Sequence, residues 1–201
     1  MSKTNDKKGC ASLVVLTFPE LKIAYEEHLI VDVEQPYVPG FLAFKEAPAL
    51  LYLLDRFKNS SEIHIDLVLV DGNGILHTNA CGLASHLGVL IDKPTIGCGK
   101  KIFCVDGLSM EMRNKIKDKF ALPETPKGAW EYLVGDSGRV WGAGLKSGPN
   151  VKDPLIVSIG HRISLDTAVK IVDMCCLTRV AEPIKIADKK SRSIINKFDN
   201  N

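Results

Sequence analysis

Residues 66–101, DLVLVDGNGILHTNACGLASHLGVLIDKPTIGCGKK, constrain the fold of this chain more than any other stretch. Residues 66–70 are too short an apolar run for a helix and rich in Leu and Val, which predicts a strand buried on both faces. The run delivers a carboxylate, Asp71, into a tight loop of Gly72, Asn73 and Gly74. Residues 81–91 then read as an apolar helix stopped before Pro94. A second buried strand at 95–98 runs into Lys100 and Lys101. Strand, helix and strand in this order predict an α/β fold with parallel strands, and a strand that feeds an acid into a glycine loop builds a site. The competing reading, a structural turn with a surface Asp, suits an isolated Asp-Gly better than this succession.

The flanking sequence organises around that unit. Residues 1–10 are polar and are expected to form a disordered tail, with one domain over 11–201. Residues 11–18 and 22–30 predict a β-hairpin. Pro36 and Pro39 frame Tyr37 in an extended or turn conformation, and Gly40 releases the chain into a helix from about 42 to 57, with Pro48 expected in its first turn. Beyond Lys101, residues 108–121 suggest a charged helix. Segments 132–133 and 140–145 read as a hairpin about Gly-Asp-Ser-Gly, and 154–158 as a short strand. Ser164 is a candidate N-cap for a helix to about Cys176, and Pro183 starts a final helix.

Bulk charge decides little: the formal net charge is +2 over 201 residues, so neither a nucleic-acid partner nor its absence follows. Local charge is more informative, with Lys185, Lys189, Lys190, Arg192 and Lys197 near the C-terminus. Six cysteines without paired CxxC spacing read as buried thiols of a reducing compartment. No apolar stretch reaches the roughly 18 residues of a membrane span, and the start lacks a signal-peptide core. A cytoplasmic or nuclear protein with no membrane partner is expected.

Several side chains could carry chemistry. Glu46 stands near the start of the first predicted helix, either as a helix-dipole partner or, if the helix mouth meets the end of the central strand, as a second acid beside Asp71. Two such carboxylates need a cation between them, and hard oxygen ligands suit Mg²⁺ or Mn²⁺. Asp188 is a third acid or a surface salt-bridge partner. His77, past the glycine loop, could hydrogen-bond a substrate edge, while His86 reads as helix core or helix surface. Lys100 leaves a strand end on the same side as Asp71 and could hold a phosphate. Tyr37 is either a stacking wedge or a hydrophobic staple onto the helix.

Taken together, PYVPGFLAFKEAP at 36–48, VDGNGILH at 70–77, GLASHLGVLIDKPTIGCGKK at 82–101, VSIGHRISLDTA at 157–168 and EPIKIADKKSR at 182–192 resemble the endonuclease V family over nearly the whole chain. The resemblance implies a ribonuclease H-like fold, a mixed β-sheet flanked by helices. It implies Mg²⁺-dependent hydrolysis of the second phosphodiester bond 3′ to inosine in single-stranded RNA or DNA; a monomer is expected. By the same resemblance Asp71 and Glu46 are metal-site and catalytic acids, Lys100 and Asp188 are catalytic, and Tyr37, Gly40, Gly72, His77 and Gly82 bind substrate.

One departure stands against these matches. The family's first strand, of the form G-x-D-[IV]-[SA]-[YF], carries an aspartate that shares the metal, and the sequence opens past the point where that strand would end. Asp6, Asp32 and Glu34 do not stand in its pattern. A sheet without that central strand is expected to lose backbone partners at about 1–3 kcal/mol for each unmade buried hydrogen bond. A truncated form or a gene model lacking an exon, with impaired cleavage, is therefore expected. The alternatives are a non-catalytic inosine-binding isoform and an unstable remnant.

Overall fold

The structure is a computed structural model, in which residues 2–3, 8–32 and 42–199 are described. The chain divides into two compact units, Met1–Ile65 with Pro183–Asn201, and Asp66–Glu182. Where the sequence suggested one domain from residue 11 onward, each unit has its own sheet.

In the first unit, β1 (Ser2–Lys3), β2 (Lys8–Leu16) and β3 (Ile23–Asp32) form an antiparallel sheet in that order. The β2–β3 register runs from Lys8 opposite Asp32 to Leu16 opposite Ile23, with a bulge between Val15 and Leu16. Residues 8–10, read from sequence as tail, are therefore strand, and Cys10 is fully buried. Their backbone pairing with β3 overrides a polar composition that carries little strand propensity. Helix α1 (Leu42–Ser60) covers the hairpin. Its buried residues Ala43, Ala47, Ala49, Leu53 and Phe57 recur at helical spacing. Ala49 and Leu53 pack with Ala11, Leu13, Leu29 and Val31, and Phe57 meets Tyr25 edge to face at 4.9 Å. Arg56 closes the contact with an ion pair to Glu27 at 2.8 Å.

Pro48 does not occupy the first turn. The helix begins at Leu42 and encloses it, so one rung of the ladder is lost, a feature that costs about 3 kcal/mol in an isolated helix. The apolar stripe locked onto the hairpin outweighs that cost. The last helix of the chain, Glu182–Asp199, returns to this unit, where Lys190 pairs with Glu26 of β3 at 2.8 Å.

The second unit holds a five-stranded mixed sheet in the order β4 (Val68–Asp71), β5 (Thr95–Gly99), β8 (Leu155–His161), β7 (Val140–Leu145) and β6 (Trp130–Val134). β4 and β5 are parallel, as helix α2 (Leu83–Ile91) between them requires, and the remaining pairs are antiparallel. β4 is an edge strand of this sheet. Val70 is its sole buried residue and Val68 and Leu69 are half-buried, so the expectation of burial on both faces is corrected. α2 ends at Asp92, which takes a left-handed conformation (φ 50°) ahead of Pro94. Helix α3 (Met110–Ala121) is capped by Ser109, and helix α4 (Leu165–Met174) by Ser164, whose Oγ accepts the Thr167 N–H at 3.3 Å. The chain-terminal helix Glu182–Asp199 is α5. Leu76, Ile102, Leu108, Ile116, Phe120, Leu133, Trp141 and Ile156 form one core cluster, so the loops that follow β4 and β5 are rooted in the same apolar body.

Close backbone approach shapes the loop after β4. A Cβ on Gly97 would stand 2.4 Å from the Gly74 nitrogen and 2.6 Å from the Gly72 carbonyl oxygen, whereas one on Gly72 would meet nothing nearer than Leu83 Cβ at 3.5 Å. Gly97→Ala should thus lower unfolding free energy by about 1–3 kcal/mol, while Gly72→Ala stays within about 1 kcal/mol. Denaturant melts of the two variants beside the parent check this, and equal losses would contradict the packing.

Candidate active site at the end of strand β4

The site residues of the second unit gather at one end of the sheet. Asp71 closes β4 opposite Cys98 of β5, with its side chain exposed. Gly72 N–H then donates to the Cys98 carbonyl at 3.1 Å. The loop folds over β5, where Gly74 N–H donates to the buried Ser158 Oγ at 2.8 Å and Ile75 N–H to the Ile159 carbonyl at 2.7 Å, both on β8. From the other side Gly82 N–H reaches the Gly74 carbonyl at 2.8 Å and Ala84 N–H the Asn73 carbonyl at 3.0 Å, which fixes the start of α2 against the loop. A Cβ on Gly82 would fall 2.4 Å from the Asn73 carbonyl oxygen, so a residue with no side chain is needed there. The loop that follows Asp71 is thus held by backbone bonds to two strands and a helix.

His77 follows on a bend of the same loop. The Asn79 N–H donates to its Nδ1 at 3.3 Å, which makes Nδ1 the acceptor and places the ring proton of the neutral form on Nε2. Partial burial pushes the imidazole below its ordinary range. The ring lies against Phe103, with centroids 5.1 Å apart and planes tilted by 35°. Phe103 was not among the residues singled out from sequence; an aromatic two residues past Lys101 was the signal, and its pairing with His77 is tertiary.

Lys100 and Lys101 are exposed at the end of β5, on the side where Asp71 stands. The loop beyond them is pinned through Asp106. Its Oδ2 accepts from Trp141 Nε1 at 2.7 Å and from Ser137 Oγ at 2.5 Å, and its Oδ1 from Ser137 N–H at 3.1 Å. The Ser137 hydroxyl first, then the Trp141 indole, hold the Asp106 carboxyl below the usual carboxylate range. Arg139 covers the outer face of Trp141 at 4.2 Å.

The other candidates lie in the first unit or outside the described residues. Glu46 is half-buried in the second turn of α1 rather than at the helix mouth. Asp188 is an ion-pair residue: Arg192 donates to its two oxygens, from Nε at 3.0 Å and from the terminal nitrogen at 2.9 Å. Tyr37 and Gly40 fall outside the described residues. His86 is half-buried on α2, in keeping with a helix-surface role. Of the cysteines, Cys10, Cys98, Cys175 and Cys176 are buried, but Cys81 and Cys104 are exposed, which corrects the expectation of six buried thiols. Burial pushes the Cys176 thiol up to about 12, so it is a packed, unreactive group.

Among the described residues no group of three or more His, Cys, Asp or Glu side chains is placed to hold a metal ion. The donor chemistry at Asp71 fits a looser arrangement, since Mg²⁺ is commonly held by one or two carboxylates, with water and substrate phosphate completing its octahedron.

The depressed His77 value has a defined sign. A group whose folded-state pKa lies below its unfolded value of about 6.5 contributes stability that is complete above that value and is lost as pH falls through the folded one. NMR titration of the His77 ring protons should give a midpoint below about 6.5; a midpoint at or above it would remove the neutral-imidazole assignment.

Comparisons with known proteins place the chain. The endonuclease V family model matches residues 1–189. Over 196 residues the chain is 44% identical to mouse endonuclease V and 45% identical to human endonuclease V, covering 97% of this chain each time. It spans 57% of the mouse protein's length and 68% of the human protein's. A crystal structure of human ENDOV superposes with a TM-score of 0.92 at 44% identity, over 98% of this chain and 82% of that one. Endonuclease V of Ciona intestinalis, solved in complex with a 24mer DNA containing an inosine followed by a ribo-adenosine, gives 0.89 at 35% identity, over 98% and 83%. An exposed acid held at a strand end by a glycine loop, inside a sequence that matches the family model over residues 1–189, is found here in a member of the endonuclease V family.

Proposed function

We propose that this chain acts on inosine in single-stranded RNA or DNA, hydrolysing the second phosphodiester bond on its 3′ side. The observation that carries the reading is the pairing, on one rigid loop, of an exposed carboxylate at Asp71 with a neutral His77 backed by Phe103. Hypoxanthine differs from adenine in presenting a carbonyl acceptor where adenine presents an amino donor. The Nε2–H of His77 is a donor, so it complements the first and opposes the second, and a site that leaves a polar group unpaired discriminates strongly. The Ciona relative in complex with an inosine-containing DNA supports the same substrate class.

The residues divide the work as follows. His77 reads the base edge, with Phe103 fixing the plane of its ring. Lys100, exposed just past the end of β5 at the sheet end that carries Asp71, neutralises the scissile phosphate. Asp71 and, by the family resemblance, Glu46 supply oxygen ligands to Mg²⁺, for which Mn²⁺ can substitute, and the bound ion would activate water and stabilise the charge of the displacement. Asp188 is, by the same resemblance, a further catalytic acid, and its ion pair with Arg192 orients the carboxylate. Tyr37 wedges the space left by the displaced base, with Gly40 shaping that turn, as the resemblance implies. We place the protein, as a monomer, in the cytoplasm or nucleus; among the described residues no helix is long and apolar enough to cross a membrane.

A second reading, inosine binding without cleavage, has one observation in its favour: His77, Phe103 and the glycine loop are complete within the second unit. Incubation with inosine-containing and adenosine-containing strands in Mg²⁺ separates the two. Cutting confined to the inosine strand supports the nuclease, and preferential binding in Ca²⁺ without cutting supports the binder. Equal affinity for both strands would overturn each. Asp71→Ala should lower any cleavage on the order of 100-fold or more with binding largely retained. His77→Ala should instead reduce the preference for inosine over adenosine about 10-fold.

A further inference from the structure

A second concentration of positive charge lies in the second unit, away from Asp71, His77 and Lys100. Arg113 and Lys117, one turn apart on α3, both point at Asp153: Arg113 donates to Oδ1 at 2.8 Å, and Lys117 Nζ lies 3.2 Å from the same oxygen. Asp153 lines an open groove of about 340 Å³ together with Lys117, Asn150, Val151, Lys152 and Arg179. Asp153 thus pairs with Arg113 and Lys117, and it is the one carboxylate among the residues lining a groove that also presents Lys152 and Arg179. Among the described residues no carboxylate pairs with Lys152 or Arg179. The frame beneath is rigid. Lys146 is buried and donates to the Thr125 carbonyl at 2.6 Å, Ser147 Oγ donates to the Arg179 carbonyl at 2.8 Å, and Val151 N–H closes a turn on Gly148 at 3.1 Å.

The sheet register sets where this groove opens. Gly99, at the end of β5, is opposite Ile156, near the start of β8, and Asp71 is opposite Cys98. The segment carrying Lys152 and Asp153 enters β8, so it stands at the same end of the sheet as Asp71 and Lys100. Neighbouring strands lie about 4.8 Å apart and each extended residue adds about 3.3 Å, which puts the groove on the order of 15 Å from Asp71. A nucleic-acid strand held at Asp71 covers that distance in a few nucleotides.

An excess of cations in a concave, rigid frame attracts anions, and an arginine fork with a lysine beside it suits a phosphate. We propose that the Lys117–Lys152–Arg179 groove binds a backbone phosphate of the single-stranded substrate, a few nucleotides from the inosine, and does so without regard to base. This rests on the reading of the chain as a protein of inosine-containing nucleic acid. Lys117 is shared between Asp153 and the groove, whereas Lys152 and Arg179 face the ligand.

Fluorescence anisotropy in Ca²⁺ tests it, with labelled single strands carrying inosine or adenosine at one position. The strands are extended on the 5′ side, on the 3′ side, on both sides, or trimmed close to the inosine. Lys152→Gln with Arg179→Gln should weaken binding of the long strand about 10-fold and flatten its salt dependence by about 0.7 in log–log slope for each phosphate left without its cation. The inosine-to-adenosine ratio should not change, the trimmed strand should bind the variant and the parent alike, and only one extension should show the loss. Arg179→Lys should restore most of the affinity. A thermal melt confirms that the double variant folds, and the exposed Lys152→Gln alone serves if it does not. Parent and variant binding the long strand with the same affinity and slope would overturn the groove while leaving the inosine reading intact. A parent that does not distinguish inosine from adenosine, with a variant that still loses salt-dependent affinity, would overturn the inosine reading and leave the groove. A parent that binds no strand at low salt overturns both.

Discussion

The second unit depends on the seam where the Gly72–Gly74 loop lies across β5 and reaches β8. Its centre is the Gly74 N–H donated to the buried Ser158 Oγ. Leaving such a buried donor unmet costs about 1–3 kcal/mol, and the seam sets several other contacts at once. The absence of a side chain on Gly97 admits the loop, Ile75 is carried onto β8, and the backbone of Gly82 and Ala84 closes on it from α2. Asp71 and His77 occupy the two ends of this short bridge, so the position of each is fixed by backbone geometry more than by its own side-chain contacts. That is the kind of support a recognition site needs, because a loop positioned only by its side chains would lose its register with the substrate.

Around the seam, polar contacts serve mainly to anchor loops. Asp106 gathers the Ser137 and Trp141 donors and so ties the segment after Lys100 and Lys101 to the β6–β7 turn, with Arg139 stacked outside it. The exposed ion pairs of the surface contribute little each in water, but Asp106 accepts three hydrogen bonds in a fixed arrangement and restrains a whole connection. In the first unit the hairpin and α1 share a small apolar contact centred on Ala11, Ala49 and Leu53, reinforced by Tyr25 on Phe57 and by Arg56 on Glu27. Together these contacts offset the backbone bond that α1 loses at Pro48.

The sequence was most legible where one signal had one structural solution. Strand, glycine loop, apolar helix and strand over 66–101 admitted the parallel pair observed, and Ser164 capped its helix as expected. It was least legible where pairing partners decided the outcome. Lys8 to Cys10 are strand because Asp32, Val31 and Ile30 are opposite them, and no local property of three polar or small residues announces that. Burial of β4 was overestimated for the same reason, since an apolar run does not say whether it lies inside a sheet or at its edge. Cys81 and Cys104 show the matching error for single residues: thiols favour burial on average, yet loop position left these two exposed.

For the site the division is similar. By itself the sequence determined which residue types were available, an acid at a strand end with glycines and a histidine after it, because covalent order and local backbone preference keep those within a few residues of each other; Lys100 and Lys101 reach the same sheet end through the pairing of β4 with β5. Only the tertiary structure decided that His77 carries its proton on Nε2 and stacks on Phe103, that Asp188 is committed to Arg192, and that the cations of α3 and of the segment before β8 open at the same sheet end as Asp71. Those facts arise from contacts that lie outside local backbone preference, and for the sheet end it is the hydrogen-bonded register of the strands that fixes them.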